Sequence, residues 1–151
     1  MKVRGFEIAK GWEGRGIQLP KRSTAHSAAY DIAAAEDTVV PVFRPGVKPT
    51  LIPTGLKAYC QPDEYFSVIN RSSGAGKGLV LANGIGIIDA DYYNNPENDG
   101  HFRVLVFNVL DHDLVIKKGD RIAQVIFHKF LTVDDDDATG ERQGGFGSTD
   151  A

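Results

Sequence analysis

The sequence lacks the cysteine pairs that stabilise very small folds and the long apolar segments of membrane proteins. Its 151 residues include one cysteine, one methionine and one tryptophan. Cys60 has no partner for an internal disulfide, and a chain of this length buries a core without one. No stretch approaches the ~20 apolar residues that cross a bilayer, and residues 1–5 lack the apolar block of a signal peptide. We therefore expect one cytoplasmic protein that binds no membrane.

The charge of the chain excludes a second large class of proteins. Seventeen Lys and Arg residues stand against twenty Asp and Glu residues, which gives a net charge of −3. Proteins that bind nucleic acid through its phosphates are usually strongly basic, so we expect no nucleic-acid partner. Hydrophobic residues at 42% and charged residues at 25% are typical of a globular chain rather than a disordered one.

Turn-forming residues and short apolar segments predict an all-β fold. Seventeen glycines and seven prolines favour many turns over a helical bundle. The strand candidates are rich in apolar and β-branched residues, and they are 51–59, 65–70, 102–110 and 121–130. Segment 102–110 is so nearly continuous in apolar residues that we expect cover on both faces, by a second sheet or by another subunit. Short strands between glycines and prolines indicate a β-sandwich or barrel.

Two segments are helix candidates. Residues 25–35 are rich in alanine, and propensity alone favours a helix there in about half of such cases. Residues 73–80 are the other candidate, which Gly74, Gly76 and Gly78 weaken. We therefore expect at least one short helix beside the strands.

The C-terminal segment differs from the rest of the chain. From residue 134 onward Phe146 is the only large apolar side chain, so the segment cannot offset the entropy of its own ordering. We expect a β-barrel domain at residues 1–133 and a flexible arm at residues 134–151. The four consecutive aspartates at 134–137 are a candidate metal site, but a solvated acidic linker is the preferred interpretation.

Residues 70–78 carry groups that bind phosphate. Arg71 can pair with two phosphate oxygens, while Ser72, Ser73 and the glycines after them offer hydroxyl and backbone N–H donors. The P-loop pattern Gly-x-x-x-x-Gly-Lys-Ser/Thr is absent from the sequence. We predict an oligophosphate site. The alternative is a Ser/Gly-rich turn with an arginine on the surface.

Residues 83–93 carry a candidate general base. Asp89 follows two isoleucines at the end of a predicted strand, where a carboxylate can hold a water in one orientation. The ring of Tyr92 could pack against a sugar. The alternative is a hairpin whose polar residues only shape the turn, and we prefer that alternative for Asp91, Asn94 and Asn95.

Two further clusters are weaker signals on their own. Asp120 and Arg121 suit a hairpin corner, where they would form a surface pair of little energy. Gln124 lies among apolar neighbours and needs a partner if it faces inward. Residues 142–149 place a charge, an aromatic ring and two hydroxyls on a glycine-rich tether, which suits a lid over an anionic aromatic ligand. The alternative is a disordered tail.

Together these clusters resemble the five motifs of the homotrimeric all-β dUTP pyrophosphatases, or dUTPases. In chain order the motifs are Ala28-Ala29-Tyr30-Asp31-Ile32, Arg71-Ser72-Ser73-Gly74, Gly86-Ile87-Ile88-Asp89-Ala90-Asp91-Tyr92, Gly119-Asp120-Arg121-Ile122-Ala123-Gln124 and Gly144-Gly145-Phe146-Gly147-Ser148-Thr149. The resemblance implies a distorted, jelly-roll-like β-barrel with one short helix. In this family the alanine-rich segment is a strand and a turn, so the resemblance favours that structure over a helix.

The resemblance also implies hydrolysis of dUTP to dUMP and pyrophosphate, with water attacking the α-phosphorus. Asp89 would be the general base and Arg71 the second catalytic residue. The implied substrate-binding residues are Ser72, Ser73, Gly74, Asn83, Gly86, Ile88, Tyr92, Gln124, Arg142, Phe146, Gly147, Ser148 and Thr149. Mg²⁺ would be held by the triphosphate, and Asp31 would contact it only through water. The alternatives are a dCTP deaminase of the same fold and an interaction protein controlled by its nucleotide.

A closed homotrimer with sites shared between subunits is a further implication of the resemblance. One subunit would lend the phosphate motifs, another the uracil hairpin and a third the arm. The sequence departs from the family pattern in four places. Ala29 and Asp150 stand where Gly is common, residues 94–101 form an insertion after Tyr92, and Arg142 lies one residue nearer to Phe146 than is usual.

Overall fold

The computed structural model describes residues 1–145, except for the side chain of Ala75. The strands are β1 (Gly5–Ile8), β2 (Tyr30–Ala33), β3 (Thr38–Val40), β4 (Thr50–Tyr59), β5 (Glu64–Ile69), β6 (Leu79–Leu81), β7 (Gly86–Asp89), β8 (Phe102–Asn108), β9 (Leu114–Ile116) and β10 (Arg121–Lys129). The helical segments are the α-helix α1 (Ser72–Gly76) and the 3-10 helix η1 (Ala90–Tyr92). Neither is long and apolar enough to span a membrane.

These strands form two four-stranded sheets and one two-stranded sheet. The strand orders are β1-β4-β8-β6, β2-β10-β5-β7 and β3-β9, and the neighbours run antiparallel. β4, β5, β8 and β10 match the four predicted strand segments. The helix predicted over 73–80 is shorter because the chain begins β6 at Leu79. The predicted all-β fold is confirmed.

One hydrophobic core lies between the two larger sheets. Phe66 of β5 and Phe102 of β8 are each 1% exposed, and their rings meet edge to face with centroids 5.3 Å apart. Val104, Val106 and Val125 are fully buried in the same core. Two antiparallel sheets that bury one apolar face each are typical of a sandwich or barrel, and this burial is the main favourable term in folding.

Within one chain, only one face of β8 is fully buried. Its residues alternate between buried and half-buried positions. Leu105 and Phe107 lie on the half-buried face, where the Phe107 ring meets the Phe43 ring edge to face at a centroid distance of 5.1 Å. The cover that we expected on both faces is therefore complete only on the core face.

The alanine-rich segment is a turn and a strand. Arg22 donates hydrogen bonds to the carbonyls of Thr24, Ala25 and Ser27 and so closes the turn before β2. β2 then pairs with β10, and its Ile32 is fully buried. Tertiary packing outweighs the helix propensity of the alanines. The strand and turn implied by the family resemblance are confirmed.

The connection from β6 to β7 is not the hairpin that we expected. β6 pairs with β8 at the edge of the first large sheet, whereas β7 pairs with β5 at the edge of the second. The chain therefore passes from one sheet to the other through residues 82–85, and the two strands do not pair with each other. A cleft remains between the two sheet edges.

Candidate active site

The first group of predicted site residues lies where β2, β10 and the end of β5 meet. Gln124 of β10 stands opposite Asp31 of β2 on one side and opposite Ile69 of β5 on the other. Arg71 donates from Nε to Asp31 Oδ1 at 3.0 Å, and Arg121 Nη1 lies 3.7 Å from Asp31 Oδ2. One carboxylate therefore holds two guanidinium groups. We call Asp31, Arg71, Arg121 and Gln124 the arginine cluster.

Asn70 fixes the backbone that carries Arg71. Its side-chain amide donates to the carbonyl of Leu79 at 3.2 Å, and its side-chain oxygen accepts the N–H of Leu81 at 3.0 Å. Gln124 lies between the fully buried Ala123 and Val125 of β10, so its side chain is on the face opposite the core. There its Nε2 donates to the Asn70 carbonyl at 3.0 Å. The turn therefore has ties to β6 and β10. It leads into α1, which begins with Ser72, Ser73 and Gly74.

The second group surrounds a cavity of about 340 Å³ in the cleft between β6 and β7. We call it the edge cleft. Because β7 is an edge strand, one side of its backbone has no strand partner among residues 1–145, and its N–H and C=O groups there can bind a ligand. A Cβ at buried Gly86 would lie 3.3 Å from Val68 Cβ and narrow this space. The lining includes Leu81, Asn83, Gly86, Ile88, Tyr92, Phe102 and Leu105.

Asp89 ends β7 at the rim of the edge cleft. It stands opposite Tyr65 in the ladder with β5, and its side chain is 55% exposed. An accessible carboxylate on a strand end can orient and deprotonate a water. Cys60 lies in the neighbouring concavity with Asp89, but burial raises the pKa of its thiol to about 11. The thiolate is therefore scarce at neutral pH, which leaves Asp89 as the candidate catalytic group.

Tyr92 forms a buried wall of the edge cleft and is 5% exposed. Its hydroxyl donates to the carbonyl of His101 at 3.2 Å and accepts from Asn98 Nδ2 at 2.6 Å. Asn95, which is also 5% exposed, donates to the Tyr92 carbonyl at 2.7 Å. The insertion at 94–101 therefore holds this ring in place. Asn95 shapes this turn, as we expected, and it also binds the backbone of Tyr92.

Arg142 of the arm lies on two aspartates of its own chain. It donates from Nη2 to Asp89 Oδ2 at 2.6 Å and from Nε to Asp91 Oδ1 at 2.7 Å. The hydrogen bond to Asp91 and the charges of both carboxylates raise the pKa of Arg142. Asp91 thus binds the arm through Arg142, whereas we had predicted only that it shapes a turn. The resemblance implied phosphate contacts for Arg142 and an arm from a third subunit.

Asp31 of the arginine cluster and Asp89 at the rim of the edge cleft lie far apart within one chain. Three strand spacings separate Asp31 on β2 from Asp89 on β7. The ladders also offset them along the strands, because Asp31 is level with Ile69 and Asp89 with Tyr65. With spacings of about 4.8 Å and a rise of about 3.3 Å per residue, the two Cα atoms are roughly 20 Å apart. The other predicted residues, Phe146, Gly147, Ser148 and Thr149, lie outside the described residues.

Reasoning from sequence missed several partners of these charged groups. Ser23 donates to Asp31 Oδ2 at 2.9 Å, and Arg121 pairs with Asp31 rather than with Asp120. Asp120 instead accepts the N–H of Lys117 at 2.8 Å within its own turn. One indication of the contact between Asp31 and Arg121 was present in the sequence, which is that both belong to motifs expected to bind one ligand. Their separation along the chain gives no local sign of the contact.

Comparisons with known proteins point to one family. The dUTPase family profile matches residues 15–150. The deoxyuridine 5'-triphosphate nucleotidohydrolase of Lactococcus lactis subsp. lactis (strain IL1403) is 51% identical over 154 aligned positions, which cover 100% of each chain. The crystal structure of dUTPase from Streptococcus mutans matches with a TM-score of 0.79 at 43% identity, over 86% of this chain and 98% of that one.

A more distant structure shares the fold alone. It is a point mutant of the dUTPase from phage phi11 of S. aureus, which reveals the coordination of a structural Mg(II) ion. It is 17% identical to this chain with a TM-score of 0.70, and the match covers 92% of this chain and 98% of that one. The profile spans most of the sequence, and the L. lactis relative spans all of it. The chain belongs to the dUTPase family.

Proposed function

We propose that this chain hydrolyses dUTP to dUMP and pyrophosphate, and that Asp89 activates the attacking water. The observation that carries the proposal is the exposed carboxylate of Asp89 on a strand end, at the rim of a cavity that can hold a base and sugar. The water oxygen forms a bond to the α-phosphorus while Asp89 accepts its proton. The bond from that phosphorus to the oxygen bridging the α- and β-phosphates breaks, and pyrophosphate leaves.

The unpaired backbone of β7 supports selection of uracil. Alternating N–H and C=O groups on an extended strand suit the O2, N3–H and O4 edge of this base. Cytosine presents a donor where uracil presents an acceptor, so each buried group left unpaired costs about 1–3 kcal/mol. The close packing of Gly86 against Val68 leaves little room for the methyl group of thymine.

The buried ring of Tyr92 supports selection of the deoxyribose. Hydrogen bonds from Asn98 and to the His101 carbonyl fix its hydroxyl, so the ring cannot easily move aside. A 2′-hydroxyl would have to fit between the sugar and this ring. We therefore propose that the cleft excludes UTP by steric clash.

The arginine cluster supports binding of the phosphates. Asp31 orients Arg71 at 3.0 Å and lies beside Arg121, so two positive groups are placed before a ligand arrives. Such preorganised donors stabilise charge that develops on phosphate oxygens as the P–O bond breaks. We propose that Arg71 acts on the phosphates together with Ser72, Ser73, Gly74 and Gln124.

The distance between Asp31 and Asp89 supports a site that is shared between subunits of a homotrimer. The base and the phosphate ligands must act on one nucleotide, with reacting atoms within about 3.5 Å, but roughly 20 Å separates Asp31 from Asp89 in one chain. We propose that one subunit lends its arginine cluster and another its edge cleft, in a closed trimer. Apolar side chains on the surface support such contacts: Val39 is 57% exposed and Val115, its partner in the β3–β9 ladder, is 52% exposed.

Mg²⁺ fits this site as an ion that arrives with the triphosphate. Among residues 1–145, no three His, Cys, Asp or Glu side chains are placed to hold a metal by themselves. Asp31 already accepts hydrogen bonds from Arg71 and Ser23, which leaves it suited to contact through water. When bound, Mg²⁺ neutralises charge on the phosphates.

We propose that residues 134–151 act as a flexible arm on a domain formed by residues 1–133. β10 ends at Lys129, and the arm touches the edge cleft through Arg142. When the triphosphate binds, Arg142 leaves Asp89 and contacts phosphate, which frees the carboxylate for the water. Phe146, Gly147, Ser148 and Thr149 then cover the nucleotide, with Phe146 stacked on the uracil.

Two alternatives are weaker. A dCTP deaminase needs a glutamate base beside the pyrimidine, but the described lining of the edge cleft offers Asp89 and no glutamate. A purely regulatory nucleotide-binding protein would not need an exposed carboxylate at the rim. The free thiol of Cys60 agrees with a cytoplasmic protein, which we keep as a proposal.

The test is pyrophosphate release measured with dUTP, dTTP, dCTP and UTP side by side, with and without Mg²⁺. We expect rapid release from dUTP only, and only with Mg²⁺. Ammonia released from dCTP would instead support the deaminase. Nucleotide binding without hydrolysis of any of the four would support the regulatory protein.

A further inference from the structure

The hydroxyl group of Tyr92 is hydrogen-bonded in both directions. Its O–H donates to the carbonyl of His101 at 3.2 Å, and its oxygen accepts a hydrogen bond from Asn98 Nδ2 at 2.6 Å. A tyrosine hydroxyl has a single hydrogen to donate, so none remains for a ligand. The two bonds therefore fix the position of a ring that is 5% exposed and forms one wall of the edge cleft.

Two other hydrogen bonds set the orientation of the Asn98 side-chain amide. Its oxygen accepts from Asn95 Nδ2 at 2.8 Å and from the N–H of Gly100 at 3.1 Å. The opposite orientation would turn the NH2 group toward these two donors, so the amide nitrogen must face the Tyr92 hydroxyl. Asn98 therefore acts as a donor to Tyr92, and both polar atoms of its side chain have partners.

The loop that carries Asn98 is tied to the body of the domain. The Asn95 side-chain oxygen accepts the N–H of Asn98 at 3.1 Å. Asp99 accepts one hydrogen bond from Lys57 Nζ and one from the N–H of Lys10, each at 2.9 Å. The loop is thus joined to β4 and to the segment after β1. These ties give Asn98 a fixed support from which it binds Tyr92.

The backbone of the loop packs as closely as its side chains. Gly100 has a φ of 90°, and a Cβ there would lie 2.9 Å from the Tyr92 carbonyl oxygen. His101, whose carbonyl accepts the bond from the hydroxyl, is itself held, because its Nε2 accepts the N–H of Gly55 at 2.9 Å. Both neighbours of the Tyr92 hydroxyl are therefore held in place.

We propose that Asn98 is a positioning residue that sets the selectivity of the edge cleft for deoxyribose over ribose. The proposal rests on the proposed function, in which the Tyr92 ring packs against the sugar. Within residues 1–145, the lining of the edge cleft includes Tyr92 but not Asn98, so Asn98 acts through the ring. Loss of the Asn98 bond frees the ring to move away from the sugar, and the space that it leaves admits a 2′-hydroxyl.

The first test is the preference for dUTP over UTP, measured as the ratio of the two kcat/KM values in the full-length chain. We expect Asn98→Ala to lower this ratio about tenfold, mainly by faster turnover of UTP, as the loss of one well-formed hydrogen bond does. Asn94→Gly is the matched control. It removes an amide of the same loop that binds Lys57 Nζ, at a φ of 58° that glycine adopts easily, and it should keep the parent ratio. Equal losses with both substrates would leave the ratio unchanged and overturn the proposal.

The second test asks whether Asn98 acts through the Tyr92 hydroxyl. Tyr92→Phe keeps the ring and removes both hydrogen bonds of the hydroxyl, while the bonds within the loop stay intact. We expect a loss of preference similar to that of Asn98→Ala, and no further loss in the double variant. Single losses that multiply in the double variant would show independent action and would overturn the proposal. If Asn98→Ala does not fold, Tyr92→Phe alone decides, since an unchanged preference would overturn the proposal.

The third test does not depend on hydrolysis. Calorimetry measures the affinity of the full-length chain for dUMP and for UMP. We expect the parent to prefer dUMP, and Asn98→Ala to lower that preference several-fold while Asn94→Gly keeps it. If the parent shows this difference but does not hydrolyse dUTP, the proposed hydrolysis fails and the role of Asn98 stands. Equal preferences in the parent and Asn98→Ala would overturn the role of Asn98.

Discussion

The arginine cluster and the edge cleft are built by different means. In the cluster, one carboxylate, Asp31, holds Arg71 and lies beside Arg121, so ion pairs and hydrogen bonds between side chains fix the geometry. In the cleft, an unpaired strand edge, a tightly packed glycine and the buried ring of Tyr92 define the space. The cluster suits the charged end of a nucleotide and the cleft suits its base and sugar. In the proposed function, each half supplies one part of the active site.

The largest effect should come from the rim of the cleft. Asp89→Asn removes the proposed base but keeps a polar side chain of the same size, so dUTP should still bind. We expect turnover to fall by at least ~10³-fold. Steady-state kinetics and calorimetric binding would measure the two quantities. Near-normal turnover would remove Asp89 from this role.

The cluster should respond differently to substitution. Arg71→Lys keeps the charge but loses the planar fork that reaches Asp31 and a phosphate together, so we expect kcat/KM to fall about 10²-fold with weaker dUTP binding. Arg44→Lys, at an exposed arginine, is the matched control and should change neither. If Arg71→Lys weakened binding no more than Asp89→Asn does, the division of roles between the two halves would be wrong.

A smaller effect tests whether the arm and the cleft come from one chain. Hybrid trimers would be made from Asp89→Asn and Arg142→Ala subunits, the second of which we expect to lose about tenfold in kcat/KM. If Arg142 serves the Asp89 of its own chain, no hybrid site has both residues intact, and mixing gives no gain. If a third subunit lends the arm, about a quarter of the sites regain both residues and the activity rises.

The smallest effect concerns stability on the cleft side. His101 Nε2 accepts the N–H of Gly55 at 2.9 Å, and burial lowers the pKa of His101 from 6.5 to about 4. The unfolded chain therefore binds this proton more readily. The stabilisation from neutral His101 is present above pH about 6.5 and decreases as the pH falls from there toward 4.

His101→Gln, which can accept the same hydrogen bond without titrating, should lose less stability between pH 7 and 5 than the parent chain does. Urea unfolding at the two pH values measures this difference. The control is His112→Gln, since the His112 side chain is 67% exposed. If the parent and His101→Gln chains lost equal stability between pH 7 and 5, His101 would not be the source of this pH dependence.

Much of the fold and the identity of the chemical groups could be predicted from the sequence. β-branched runs marked the longer strands, and the family motifs brought Asp89, Arg71 and Gln124 into one hypothesis. These signals are local, because a strand or a motif is written in consecutive residues. The family resemblance predicted the strand in the alanine-rich segment, whereas helix propensity did not, because the burial of Ile32 determines this structure.

Relations between distant segments could not be predicted. The chain changes sheet between β6 and β7 because β6 pairs with β8 and β7 pairs with β5. No pattern in residues 79–89 predicts these partners. The contact of Arg142 with Asp91 and the hydrogen bond from Gly145 to Glu97 join segments far apart in the sequence. The insertion looked like an added turn, but its hydrogen bonds to Tyr92 and the arm become visible only in three dimensions.

The central claim is that one active site takes its arginine cluster and its edge cleft from different subunits. The direct measurement is dUTP turnover by hybrid trimers of Arg71→Ala and Asp89→Asn subunits, purified through two different tags so that every trimer contains both. Each variant alone should be nearly inactive. The hybrids should regain about a third of the parent activity, because one of the three sites in every mixed trimer combines an intact cluster with an intact cleft. Hybrids no more active than the two variants alone would contradict the claim.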